Sequence, residues 1–219
     1  MKKITPVVMF LIVASFANAQ VMILHDPVSA TMYSSTKYSG IEGSPFLSDK
    51  WSKGYVKVSA GIYKDLELKY DAYENTLYFN RDDHPYQFKE NVQEFIITPQ
   101  PLDSATHIRY KKGITGSMIK PDQFLQVIGE GKLSIYRSEL KLVSDVNQIN
   151  QGIIKTFTTS TRYVAVKDGT TQLVRLNKQD LLNLMNDKKS EVEKYADQNS
   201  LSFKKEWDVK MIVNFYNRQ

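Results

Sequence analysis

The chain of 219 residues contains no cysteine. No disulfide, thiolate zinc site, iron–sulfur cluster or cysteine nucleophile can therefore form. Histidine is nearly as scarce, with His25, His84 and His107 the only three. A Ser–His–acid triad needs a base and a group to orient it, and none of these histidines stands in such a context. No Gly-x-Ser-x-Gly elbow occurs. The run Gly129-Glu130-Gly131-Lys132 superficially suggests a phosphate loop, but Gln126 replaces its first glycine and Leu133 its Ser/Thr. Apolar runs of transmembrane length are missing throughout.

What is present begins with an export pattern. Lys2 and Lys3 precede an apolar stretch from Val7 to Phe16, and Ala17-Asn18-Ala19 supplies the small-x-small pattern of a signal-peptidase site. The stretch is about half of the ~20 residues needed to span a bilayer as a helix. Residues 1–19 therefore read as a cleavable signal peptide, with a mature protein starting near Gln20 and carrying no transmembrane segment. Lipid anchoring is excluded because no thiol follows to be acylated. Export without disulfides requires an ordinary hydrophobic core, which about 200 residues with 42% apolar content supply. That combination points to a bacterial cell envelope, periplasmic or extracellular.

Loss of Lys2 and Lys3 leaves 27 Lys plus Arg against 24 Asp plus Glu, so the net charge falls from +5 to +3. The signs alternate along most of the chain, whereas a nucleic-acid binder concentrates positive charge on one face. Nucleic acid is not an expected partner.

Residues 20–219 read as a single domain in three parts. The lead-in, 20–53, is rich in turn formers and irregular, packing through Phe46, Leu47 and Trp51. From 54 to 176 the pattern is β. In 62–71, Ile62, Leu66, Leu68 and Tyr70 share one face and Tyr63, Asp65, Glu67, Lys69 and Asp71 the other, with Lys64 the only break. A turn at Tyr73-Glu74-Asn75 leads to a strand at 76–79. Further strands are expected at 86–88, 92–97, 106–110, 124–128, 132–137, 140–143, 163–167 and 171–176. Gly129-Glu130-Gly131 and Asp168-Gly169 mark hairpins, the second by the dipeptide that type I′ turns favour. From 177 to 219 the period becomes helical. Asn177 caps a helix carrying Leu181, Leu182, Leu184 and Met185, closed by Lys188-Lys189. Ser190-x-x-Glu193 reads as a capping box for a second helix with Val192, Tyr195 and Ala196 inward. A third, from about Phe203 to Asn217, places Trp207, Met211, Ile212, Phe215 and Tyr216 on one stripe. Helices this short are marginal alone and must dock on the sheet. The expected fold class is α+β: an antiparallel β-rich sheet, or a partial barrel or roll, followed by a three-helix C-terminal cap.

Gly43-Ser44-Pro45-Phe46-Leu47, followed by Trp51 and Gly54-Tyr55-Val56, resembles the opening of many secreted Bacteroidetes proteins of unknown function. Leu66-Glu67-Leu68-Lys69-Tyr70-Asp71-x-Tyr73 is similar to the strand that follows it in those proteins, and 176–217 to their usual ending. The resemblance implies a compartment and a bacterial source, and carries over no catalytic residue.

Asp82-Asp83-His84, before Pro85, is the densest cluster of potential metal ligands. Carboxylate and imidazole suit zinc or manganese, but consecutive residues seldom point at one ion, and a polar turn accounts for them better. His107, Arg109 and Lys111 share one face of a strand and form a positive stripe for an anionic lipid, glycan or acidic partner, or a solvated face. Asp65 and Glu67 share a face, but glycoside hydrolysis needs carboxyls on opposite sides of a bound sugar. Thirteen tyrosines and two tryptophans slightly favour a binding role. No cofactor is expected. The functional expectation is a non-enzymatic envelope module that binds a partner protein, glycan or small ligand. The alternatives are an envelope glycan or peptide hydrolase with an unidentified carboxylate pair, and a carrier of a small apolar ligand.

Overall fold

The computed structural model describes residues 23–24, 30–32, 36–98, 107–116, 119–149 and 152–219. The segment read as a signal peptide and His25 lie outside them.

Thirteen strands form one sheet: β1 Ile23–Leu24, β2 Ala30–Met32, β3 Ile41–Glu42, β4 Ser52–Val58, β5 Gly61–Asp71, β6 Thr76–Arg81, β7 His84–Phe88, β8 Glu94–Thr98, β9 Ile108–Lys111, β10 Leu125–Gly129, β11 Leu133–Gln148, β12 Gly152–Lys167 and β13 Thr170–Val174. The path runs β13-β12-β11-β10-β9-β8-β4-β5-β6-β7-β2, antiparallel at every step. β1 and β3 add in parallel to β5 and β12. The class is α+β with an open, mostly antiparallel sheet. The lead-in read as irregular therefore contributes three short strands, β1 to β3.

Three helices follow: α1 Lys178–Leu184, α2 Lys189–Gln198 after a 3-10 turn at Asn186–Lys188, and α3 Glu206–Asn217. Asn177 caps α1 as expected, its side chain accepting from the Asp180 amide at 2.8 Å. The capping box at Ser190 is not formed. The 3-10 turn delivers the chain already helical at Lys189, and Glu193 pairs instead with Lys178 at 2.6 Å. In α3 the buried residues are Val209, Ile212, Val213 and Tyr216, an i, i+3, i+4, i+7 stripe. Trp207 and Met211, read as inward, face outward at 62% and 38% exposure.

The sheet has two differently covered regions. Over β10 to β13 the helices bury Leu133, Ile135 and Ala165 on one face, with Leu181, Met185, Val192, Ile212 and Tyr216. On the opposite face Ile114 and Ile119 cover Leu125, Tyr136 and Val164. The β4–β9 region holds a second core in which Tyr70, Phe95, Tyr110 and Phe124 interlock, with the Phe95 and Tyr110 rings stacked at 4.7 Å.

β5 departs from simple alternation. Gly54 of β4 faces Leu66 and Val56 faces Tyr63, so β5 carries one extra residue at Lys64–Asp65, where Asp65 takes φ +56°. A bulge reverses the facing of all residues on one side of it. Tyr63, read as outward, is consequently 3% exposed. The break at Lys64 was the bulge.

β11 and β12 pair over their full lengths. Residues 152–162, within the β-rich part but given no strand of their own from sequence, thus belong to one. Near Asp71 the hairpin is held by Lys141 N–H donating to the Ala72 carbonyl at 3.1 Å and by Phe157 against Tyr38 and Tyr73.

Candidate functional site: a cleft beside the last helix

α3 is fixed to the sheet at its C-terminal end. Gly129 has no side chain because a Cβ there would lie 2.8 Å from Val213 Cγ1. Asn217 donates to and accepts from the Leu133 backbone, each at 2.8 Å. Tyr216 donates to Asp187 at 2.8 Å, and Asp187 also accepts from Lys132 and Lys167 at 2.7 and 3.0 Å. These donors, Lys132 first, hold its carboxyl well below the usual carboxylate range.

So anchored, α3 extends its first turn over β11 and leaves a gap between itself and residues 47–52. That gap is a cleft of about 560 Å³, within the range of small-molecule sites. β8 to β11 form its floor. At its centre Arg137 reaches Glu139 at 2.5 Å and Glu206 at 3.4 Å. Tyr163 donates to Glu206 at 2.6 Å. Burial and that hydrogen bond push the Tyr163 hydroxyl up to about 12. The Arg137 Nε is buried with no hydrogen-bond partner among the described residues. Trp207 stands at the rim with Lys210 5.3 Å from its ring centroid. Lys50 lines the cleft too, and neither lysine makes an ion pair among the described residues.

Of the residues singled out from sequence, His107 lies in this cleft, its Nδ1 2.8 Å from Thr98 Oγ1. Arg109 lines an adjoining cavity of about 410 Å³ with Glu130 and Asn214. The positive stripe on β9 is neutralised by neighbours that are remote in sequence. Arg109 pairs with Glu130 and, at 3.6 Å, with Glu94, while Lys111 reaches Glu130 at 2.5 Å. Burial raises the Glu130 pKa, but the bonds from Lys111 and Arg109 outweigh it and hold the carboxyl below its usual range.

Asp82 and Asp83, both at positive φ, form the two-residue turn between β6 and β7, where Arg81 faces His84. His84 Nδ1 lies 2.6 Å from the Asp82 carbonyl. Among the described residues no group of three or more His, Asp or Glu is placed to hold a metal. Asp83 does line a second cavity, of about 320 Å³, with Phe46, Trp51, Lys69, Tyr78, Asn80 and Pro85. Asp65 and Glu67 line neither cavity; Glu67 accepts from Asn80 at 2.8 Å.

One segment separates the two cavities. Phe46 and Trp51 face the smaller, whereas Leu47, Ser48, Lys50 and Ser52 face the cleft. Arg137, Glu139, Glu206 and Lys210 were not singled out in sequence, and Trp207 was assigned to the buried stripe of the helix. The available signal was Trp207 itself, which falls outside the 209, 212, 213, 216 spacing of the buried stripe.

No protein-family model, curated protein or solved structure gives a significant match to the chain.

Proposed function

We propose that this chain is an exported, non-enzymatic binding module of a bacterial cell envelope, and that the α3 cleft is its binding surface. The observation that carries the proposal is the internal pairing of the cleft's reactive side chains. Arg137 spans Glu139 and Glu206, and Tyr163 also donates to Glu206. One oxygen of each carboxylate, Glu139 Oε2 and Glu206 Oε1, is engaged by protein donors, whereas a glycosidase or protease needs carboxyls aimed at substrate or water. An exposed tryptophan beside Lys210, which makes no ion pair among the described residues, suits recognition of a polar chain by stacking and hydrogen bonding. Export is supported by Lys2-Lys3, the apolar run and Ala17-Asn18-Ala19, and by the resemblance to secreted Bacteroidetes proteins. No helix among the described residues is long and apolar enough to cross a membrane. Protein recovered from its native host is expected to begin at Gln20, read by intact mass; retention of residues 1–19 would contradict export by this route.

A hydrolase is the second reading, favoured by the presence of two carboxylates, Glu139 and Glu206, in one cleft. Binding is tested with a Trp51→Phe variant, which leaves Trp207 as the only indole. A chitooligosaccharide series and an oligoalanine series are titrated against its emission. A saturable change with one series, lost on Arg137→Met in a variant that unfolds cooperatively, is expected. No response to either series would remove the support for the cleft.

A further inference from the structure

The second cavity has a chemistry of its own. Its apolar wall is made by Phe46, Trp51 and Pro85. Lys69 lies inside, its Nζ 4.4 Å from the Phe46 ring centroid and 5.7 Å from that of Trp51. The ammonium is half-buried, and among the described residues it makes no ion pair and no hydrogen bond. Burial lowers its pKa, opposed only in part by Asp49. A partly dehydrated ammonium held against aromatic faces keeps its three N–H donors available to a ligand. Asn80 and Asp83 provide an amide and a carboxylate on the same cavity.

The wall is pre-formed. Leu47 N–H donates to the Tyr70 carbonyl at 3.1 Å and Ala72 N–H to that of Pro45 at 2.9 Å, clamping the backbone on both sides of Phe46. Phe46 N–H itself donates to Ser44 Oγ at 3.2 Å. The Asp82-Asp83 turn fixes the opposite rim by its type I′ geometry. A ligand entering here meets rigid aromatic and proline surfaces, which lowers the ordering cost of binding.

We propose that this cavity is a binding site for an acidic sugar, a hexuronate, either free or at the end of a glycan. The apolar face of the pyranose ring lies against the Trp51 and Phe46 side, the carboxylate takes the Lys69 ammonium, and ring hydroxyls meet Asp83 and Asn80. A small inorganic anion would leave the aromatic wall unused and would face Asp83. A neutral hexose would leave Lys69 without its acceptor. An aromatic cage for a ligand cation is ruled out because Lys69 already occupies it. The site stands independently of the α3 cleft, because it shares no lining residue with it.

The test uses Trp207→Phe, in which Trp51 is the only indole. Its emission is titrated with glucuronate, galacturonate, glucose, galactose, acetate and inorganic phosphate. A saturable response to a hexuronate is expected, with the matching hexose about tenfold weaker, as for loss of one charge-assisted hydrogen bond. Acetate and phosphate give no saturable response. Adding Lys69→Met abolishes the hexuronate preference, whereas Lys69→Arg retains it, with unfolding midpoints checked for both. The proposal is overturned if a folded Trp207→Phe protein responds to neither hexuronate, if Lys69→Met keeps the preference, or if acetate reproduces the response.

Discussion

Asp187 gathers donors from three places: Lys132 before β11, Lys167 at the end of β12 and Tyr216 in α3. Its folded-state pKa lies below that of an unfolded aspartate, about 3.9. The stabilisation it provides is therefore complete above that value and is lost as the pH falls through the lower folded value. Asp187→Asn should unfold at lower urea than the parent at pH 7, and the gap should close as the pH drops below about 4. An unchanged gap across that range would show that the carboxylate's charge is not what matters. Asp71, buried and accepting from the Tyr73 and Glu74 amides at 2.9 Å and from Tyr38, has the opposite balance. Burial raises its pKa and the bonds lower it only in part. At the scale of residues, local chemistry is what sequence displays. Asn177 as a cap and Asp168-Gly169 as a turn depend on neighbours three or fewer positions away, and both form, with φ of 50° and 74° in the turn. The partners of Glu130, Glu193 and Arg109 are set by folding, so the stripe at His107, Arg109 and Lys111 looked more positive than it is.

Elements show where periodicity misleads. β5 changes phase at one bulged residue, which a fixed period-2 reading cannot accommodate. In the outer half of β12, GIIKTFTTSTR, one face is mostly exposed and the other only half-buried, so the residues show no apolar–polar alternation. Its Thr and Ile content is the β signal that remained. α3 displays a clear stripe, but the aromatic Trp207 draws the inferred face one position away from the true one. The docking of α3 rests on Gly129. Gly129→Ala should cost about 1–3 kcal/mol, through overpacking against Val213. Combining it with Val213→Ala should recover part of that loss, giving a coupling of about 1 kcal/mol in a urea double-mutant cycle. Strict additivity would mean that α3 does not approach β10 so closely.

The whole molecule is an open sheet with one region covered by helices and another stabilised by interlocked aromatics. Two of its cavities flank the segment 46–52, and each of these contains one of the two tryptophans. The class, the order of strands before helices and the three-helix cap were legible because they follow from local period. The cleft was not. It joins side chains from 47 to 210, and its position depends on where α3 stops covering the sheet. In that cleft Arg137 reaches both carboxylates, Glu139 and Glu206.

The most direct measurement incubates the Trp51→Phe protein with whichever chitooligosaccharide or oligoalanine series shifts Trp207 emission, and counts reducing ends and free amines over time. Saturable binding with no product above the protein-free control is predicted. Product that accumulates beyond one equivalent per protein, and that stops in Glu206→Gln, would contradict the account.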